Sequence, residues 1–280
     1  MLRFGVFTDA HYAKGKQYMT RYCELSAGKL ARAVEVFVRE RVDFVVNLGD
    51  IIDGAHGDGA GEIDRSNYRV VRRVLDRIRV DVHHVLGNHD LDSLTKAEAL
   101  EALGATERRT WYSFSAGGCL FIVLDANFRS DGTEYARGNY EWTDTALSSE
   151  QIEWLKAELS RAPTGPVVVF MHQNTDDRPT AEAHDPHVIV QAATVREILA
   201  APGRRVAVLQ GHYHPGLHRR VDGVDYVTLR AMCEGDGPHD NSFAVVEIGD
   251  DSSVTIRGFE AQTSYALAAG PGAAASTQNP

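Results

Sequence analysis

Val206-Ala207-Val208-Leu209-Gln210-Gly211-His212-Tyr213-His214 carries a short apolar run into a glycine and two imidazoles set two residues apart. Four apolar residues closed by a glycine are too short for a helix and read as a buried strand. The same order of events occurs at four earlier places. Residues 4–7 lead to Asp9 and His11, and 44–48 lead to Gly49-Asp50. Residues 82–86 lead to Gly87-Asn88-His89-Asp90, and 167–171 lead to His172. Between these runs lie helical patterns. Leu30, Val34, Phe37 and Val38 share one face of a helix over 26–40, and Val70, Val71, Val74, Leu75 and Ile78 share one face of a second. Alternation of this kind predicts an α/β chain. Ligands of such sheets bind at the carboxyl ends of the strands, where the polar residues fall.

Outward from these runs, 54–61 is too rich in glycine for a helix or a strand and is expected to be a mobile loop. Residues 120–124 form a further strand. The stretch 127–148 is polar and aromatic without a period, a length of loop that usually serves function. Ser148 and Gln151 fit a capping box opening a helix with Ile152, Leu155 and Leu159, which stops before Pro163. Val195, Ile198 and Leu199 mark a short helix, and strands follow at 217–221, 224–230, 243–248 and 253–259. The expectation is a single domain over 1–265 and a disordered Ala/Gly/Ser/Pro tail over 266–280.

Composition narrows the function. Among 280 residues, 29 Lys and Arg stand against 39 Asp and Glu, a formal charge of −10. That balance argues against nucleic acid as a partner, which requires a basic surface to displace phosphate counterions. No run approaches a membrane span, and the apolar start is too short for a secretory leader. Cys23, Cys119 and Cys233 are too far apart for a CxxC site and suggest no disulfide framework, so a reducing cytoplasm is the expected location.

Asp9, His11, Asp50, Asn88, His172, His212 and His214 supply more oxygen and nitrogen donors than one tetrahedral ion requires. They suit two divalent ions that share a carboxylate. In an extended segment His212 and His214 would lie on one side, and Gly87 would allow a sharp turn before three polar groups. Without thiolates, the donor set admits Mn, Fe or Zn.

The order D-x-H, G-D, G-N-H-D, H and G-H-x-H resembles that of the calcineurin-like metallophosphoesterase superfamily, over residues from the first strand to about Phe259. The resemblance implies a two-sheet β-sandwich flanked by helices with a dimetal site at the strand ends. It implies that Asp9, His11 and His214 bind one ion, that Asn88, His172 and His212 bind the other, and that Asp50 bridges them. His89 matches the family's catalytic histidine, which would stabilise the developing charge or protonate the leaving alkoxide, with Asp90 as its expected acidic helper. The implied activity is metal-dependent hydrolysis of a phosphoester or phosphoanhydride bond by a bridging hydroxide, on a small nucleotide-like or phosphorylated metabolite. Arg21-Tyr22, the 49–54 segment, the 82–85 lead and the His-Tyr-His-Pro-Gly run over 212–216 are similar to the manganese-dependent ADP-ribose/CDP-alcohol diphosphatase group. Manganese is therefore the favoured metal, although that group usually has Gln where His11 stands and Glu where Asp90 stands.

The same core also serves phosphomonoesterases and cyclic-nucleotide phosphodiesterases. A non-catalytic protein-binding scaffold would be expected to lack ligands that are all present here. Asp53 could orient a ligand, and Arg21 is expected to be a solvated surface residue with a second-phosphate contact as the alternative. His56 and Asp58 could belong to a lid. Trp111, Tyr112, Tyr135, Tyr140 and Trp142 are assigned to packing, with stacking on a base as the alternative. His83, His84, His184, His187, His218 and His239 carry no spacing that demands metal.

Overall fold

The computed structural model describes residues 1–162, 165–178, 185–201, 203 and 205–267. Strands β1 (Leu2–Phe7), β2 (Phe44–Asn47) and β3 (Val82–His84) are parallel neighbours, paired Phe4 to Phe44 and Val45 to Val82. On the other side of β1 run β10 (Ser242–Ile248), β11 (Val254–Glu260) and β12 (Tyr265–Leu267), each antiparallel to its neighbour, completing a six-stranded sheet. A second six-stranded sheet is built on the parallel strands β5 (Cys119–Val123), β6 (Val167–Phe170), β7 (Val206–Gln210) and β9 (Val224–Thr228). Antiparallel β4 (Tyr112–Ala116) and β8 (Leu217–Val221) form its edges.

The two sheets face each other across a buried core. Side chains alternate along a strand, so Phe4 and Val6 turn inward with Phe44, Val46, Phe121, Phe170 and Leu209. Phe4 stacks on Phe44 at 4.9 Å and meets Phe121 and Phe170 edge-on at 5.7 Å. The opposite face of β1 carries Phe7, which packs under α1 (Ser26–Glu40) and α2 (Ala60–Leu75) with Phe37, Val45 and Tyr68. Gly5 lets α1 sit close, because a Cβ there would stand 2.7 Å from the Phe37 ring. Helices α4 (Ser149–Arg161) and α5 (Ala192–Ala200) cover the second sheet through Leu155, Val195, Val169 and Val208. The order of layers is therefore helix, sheet, sheet, helix, which is the expected α/β sandwich.

Several local expectations need correction. Helix α2 begins at Ala60, so the glycine-rich loop is shorter than expected. An unforeseen helix, α3 (Lys96–Leu103), is closed by a capping box in which Thr95 Oγ1 accepts from Glu98 N and Glu98 Oε2 accepts from Thr95 N. Strand β4 was also unforeseen. Ser148 Oγ accepts from Gln151 N at 3.2 Å, but the Gln151 side chain does not complete the box. It bonds both backbone groups of Asp125 instead. Ala266 and Leu267, assigned to the tail, pair with β11, while 268–280 lie outside the described residues.

Candidate metal centre

The carboxyl ends of β1, β2 and β3 in one sheet meet those of β6 and β7 in the other, and all seven expected donors converge at this rim. Four of them reach it through left-handed backbone: Asp9 (φ 51°), His11 (φ 45°), Asp50 (φ 49°) and His212 (φ 66°). Non-glycine residues seldom adopt this region, and such strain collects at functional sites. Contrary to expectation, His212 and His214 do not lie on one side of an extended segment. Tyr213 N donates to Gly211 O at 2.7 Å, a tight turn that sends His212 toward His172 and His214 toward Asp9.

The glycines of the motifs act through proximity. A Cβ on Gly87 would lie 2.1 Å from Asp50 Oδ1, and one on Gly211 would lie 2.1 Å from Thr8 Oγ1. Gly87 does not have positive φ, so it permits close approach rather than the expected sharp turn; Gly49, at φ 101°, does both.

Three imidazoles have Nδ1 tethered and Nε2 turned into the site. His172 Nδ1 donates to Leu48 O at 2.8 Å, His11 Nδ1 bonds Asp53 Oδ1 at 3.0 Å, and His214 Nδ1 bonds Glu234 Oε1 at 2.6 Å. Such tethers orient and polarise metal-binding histidines, and Asp53 makes the contact that an orienting role would require. Five buried atoms of the expected donors have no hydrogen-bond partner among the described residues: Asp9 Oδ1, His11 Nε2, Asn88 Oδ1, His172 Nε2 and His212 Nε2. Orphaned polar atoms are costly in a protein interior, and a cation would satisfy all of these. Two donors held about 2.0–2.2 Å from one ion stand roughly 3.0–3.8 Å apart at ordinary coordination angles. Asp9 Oδ1 is 3.7 Å from His11 Nε2 and 3.5 Å from His214 Nε2. Asp50 Oδ2 is 3.5 Å from His11 Nε2 and 3.1 Å from His172 Nε2, so one oxygen faces both halves of the donor set. The residues fit a pair of cations.

Cys233 also approaches His11 and His214. Its sulfur sits 3.9 Å from His214 Nδ1, the edge that Glu234 already occupies, and burial pushes the thiol up toward its protonated form. It is buried beside His214 and stands apart from the expected donor set.

The field of the site is uneven. Burial opposes ionisation of Asp9, yet His11 and His214 outweigh it and hold the carboxyl well below its ordinary range. Asp50 is lowered in the same way by His172 and His89. Beside Asp50, His172 rises to about 9 despite burial. His212 goes the other way, driven well down by burial and by the neighbouring His172.

His89 lies beside this cluster, half-buried, with its ring 4.9 Å from that of His11. Its Nδ1 bonds Asp92 Oδ2 at 3.0 Å. The expected helper, Asp90, is occupied elsewhere: its carboxylate accepts from the backbone N–H groups of Asp50, Ile51 and Gly87 and from Tyr68 Oη. Burial disfavours the charged His89 ring, but Asp50, Asp92 and Asp53 together hold its pKa above the ordinary value.

A cavity of about 640 Å³ opens over the donors. Tyr18, Met19 and Arg21 line one side of it, and Tyr140, Trp142 and His187 also line it. Tyr140 and Trp142 thus stand in the cavity, whereas Trp111 packs on Trp154 and Tyr135 is buried. Arg21 is not merely solvated: Nη1 lies 3.4 Å from Asp53 Oδ1 and the guanidinium covers the Tyr18 ring. His56 is exposed, 4.0 Å from Asp92, and does not line the cavity. His83 stacks on Phe114, His218 pairs with Asp225, and His239 is exposed, while His184 lies outside the described residues. Asp92, Glu234, Tyr213 and His187 are among the site residues whose part sequence reasoning missed. Asp92 lies three residues past His89 in the same motif, which was a usable signal; His187 had none. Among the described residues, no helix is long and apolar enough to cross a membrane.

Comparison with known proteins agrees with this geometry. The family model for calcineurin-like phosphoesterases matches residues 2–216. The chain is 28% identical to the manganese-dependent ADP-ribose/CDP-alcohol diphosphatase of Danio rerio, over 90% of this chain and 93% of that one. It is 30% identical to the serine/threonine-protein phosphatase CPPED1 of Rattus norvegicus, over 68% of this chain and 59% of the rat protein. Among solved structures, a dimetal phosphatase from Danio rerio superposes with a TM-score of 0.79 at 25% identity, covering 95% of this chain and 99% of that one. A purple acid phosphatase from yellow lupin shares the fold, with a TM-score of 0.63 at 14% identity over 95% of this chain and 52% of that one.

Proposed function

This chain belongs to the calcineurin-like phosphoesterase family, and from that premise we propose that it is a manganese-dependent hydrolase of a phosphoanhydride in a small nucleotide-like metabolite. Asp9, His11 and His214 would hold one divalent ion, Asn88, His172 and His212 a second, and Asp50 both. The observation that carries this reading is the position of Asp50 Oδ2, which faces His11 Nε2 at 3.5 Å and His172 Nε2 at 3.1 Å. A bound ion pair of this kind supplies a water of lowered pKa and offsets charge on phosphoryl oxygens.

The protein's own groups do the rest. The tethers from Leu48 O, Asp53 and Glu234 keep each Nε2 aimed inward, so the donors need not reorganise during the reaction. His89, protonated, would give its proton to the departing oxygen, and Asp92 at 3.0 Å fixes the ring and favours the charged form. The similarity to a diphosphatase over most of both chains supports an anhydride rather than a simple ester. The 30% identity to a protein phosphatase keeps a phosphomonoesterase as the second reading.

A panel of substrates with added Mn separates the two: ADP-ribose, CDP-alcohols, cyclic AMP, nucleoside monophosphates and an aryl phosphate. Preference for the pyrophosphate linkage with little cyclic-nucleotide turnover supports the first reading. Faster release of phosphate from the monoesters would replace it with the second.

A further inference from the structure

Part of the cavity wall is aromatic and is mounted with more care than packing requires. Trp142 is 39% exposed and its ring centroid lies 5.4 Å from that of His187. The His187 ring stands 5.2 Å from Tyr213, edge to face. His187 and Tyr213 are each held from behind. His187 bonds Asp185 Oδ1 through both its backbone N and its Nδ1, at 2.9 and 2.8 Å. Tyr213 has a face covered by the guanidinium of Arg178 at 4.3 Å, and Asp176 clamps that Arg by two bonds of 3.0 and 2.9 Å. All three rings line the cavity. Trp142 and His187 both approach the ring of His212, at 6.2 and 5.3 Å, so the wall flanks one half of the donor set.

The cations near the cavity are already engaged. Lys16 and Arg21 both pair with Asp53, at 2.5 and 3.4 Å. Glu234 adds a further negative group to the lining. Among the described residues, the part of the substrate beyond the reacting phosphate therefore meets aromatic rings, inclined to one another by 57° and 79°, rather than a cationic clamp. Stacking on an aromatic side chain is tolerant of which base is bound and strong enough to decide affinity.

Resting on the phosphohydrolase reading, we infer that Trp142, His187 and Tyr213 form a stacking platform for a planar heteroaromatic ring, of the nucleobase kind, carried by the substrate. The platform makes the nucleotide half of the substrate lie over the His212 side of the site. It selects nucleotides over sugar phosphates of the same charge.

The test uses the full chain loaded with Mn and three probes: inorganic phosphate, ribose 5-phosphate and AMP, by equilibrium titration in the cold. AMP is expected to bind roughly tenfold tighter than ribose 5-phosphate, the weight of one base stack. Trp142→Ala should remove most of that advantage and leave ribose 5-phosphate affinity within about twofold, and Trp142→Phe should restore much of it. Because Trp142 is exposed, an unchanged melting curve will show that the variant is folded. Equal affinity of the wild type for AMP and ribose 5-phosphate overturns the platform while leaving the hydrolase reading intact. An AMP advantage that survives Trp142→Ala and His187→Ala also overturns it. Failure to bind even inorganic phosphate would remove the hydrolase reading and the platform with it.

Discussion

His89 directs its Nδ1 to Asp92 Oδ2 at 3.0 Å and leaves Asp90, its neighbour in the chain, to the backbone of Asp50 and Gly87. The pair divides the contacts of the motif: Asp90 braces the donor loop, and Asp92 holds the ring proposed as the proton donor. Asp92→Asn should lower kcat by roughly 10–100-fold with metal content unchanged. Asp92 is among the groups holding the His89 pKa up, so the variant's alkaline limb should move to lower pH. Full activity with an unmoved pH profile would remove Asp92 from the mechanism. His89→Ala should cost about 10²–10⁴-fold, again without loss of metal.

Gly87 tests whether proximity or turn geometry matters. A methyl group there would overlap Asp50 Oδ1 at 2.1 Å and Asp50 N at 2.4 Å. The backbone atom cannot move aside cheaply, so Gly87→Ala should displace Asp50 and weaken ion affinity by about 10–100-fold. Titration of the chelated protein with Mn measures this. Wild-type affinity in the variant would show that the loops have more room than the contacts allow.

Lys29 is buried, and its Nζ donates to three carbonyls: Met232 O at 3.1 Å, Glu234 O at 2.6 Å and Gly235 O at 2.7 Å. Those carbonyls belong to the segment whose Glu234 side chain tethers His214. Lys29→Met leaves them without that donor and should cost about 2–4 kcal/mol of stability. It should weaken Mn binding as well, through a looser His214. Urea unfolding and Mn titration read the two effects, and a stability loss with unchanged Mn affinity would confine Lys29 to the fold.

Asp64 ties the glycine loop to the site's rim, its carboxylate accepting from Ala55 N at 2.9 Å and Ser93 Oγ at 2.5 Å. Burial lifts it to about 6 from an ordinary 3.8, against the lowering effect of both hydrogen bonds. Between those two values the folded chain binds a proton that the unfolded chain has released, so stability falls as pH rises through the window. Asp64→Asn removes this contribution. The difference in urea midpoint between the wild type and Asp64→Asn should favour the variant increasingly from pH 4 to about 6 and then level off. A difference independent of pH would show that Asp64 titrates normally.

Local pattern made the donors legible, because each follows an apolar run whose strand identity does not depend on distant contacts. Helix α1 was legible over its whole length for the same reason. Helix α3 was not: its eight residues include Lys96, Glu98 and Glu101, so its apolar face is faint and its capping box is the stronger signal. The half-exposed β4 reads Tyr-Ser-Phe-Ser-Ala, an alternation too short to stand out. His187 was illegible for a different reason. Nothing near it in the chain marks it, and only the meeting of its loop with the turn at Tyr213 brings it to the cavity. The conformation of His212 likewise follows from the turn closed by Tyr213 N and Gly211 O, which a two-residue spacing does not reveal.

Orphaned donors make the folded state sensitive to its ions. Asp9 Oδ1, His11 Nε2, Asn88 Oδ1, His172 Nε2 and His212 Nε2 are buried without hydrogen-bond partners among the described residues, and the unfolded chain would return all of them to water. Ions that bind only the folded arrangement add RT ln(1 + [L]/Kd), about 2.7 kcal/mol at a hundredfold excess over Kd. For a chain of this size that is a rise in Tm of roughly 4–8 °C. Chelation should therefore lower Tm by this amount and Mn should restore it, whereas Asp50→Ala should show little response to either. The comparison is specific because Asp50 faces both His11 and His172, so losing it weakens both halves of the donor set at once. A wild-type Tm indifferent to chelation, in protein that elemental analysis shows to be stripped of Mn, Fe and Zn, would mean that these donors are satisfied some other way.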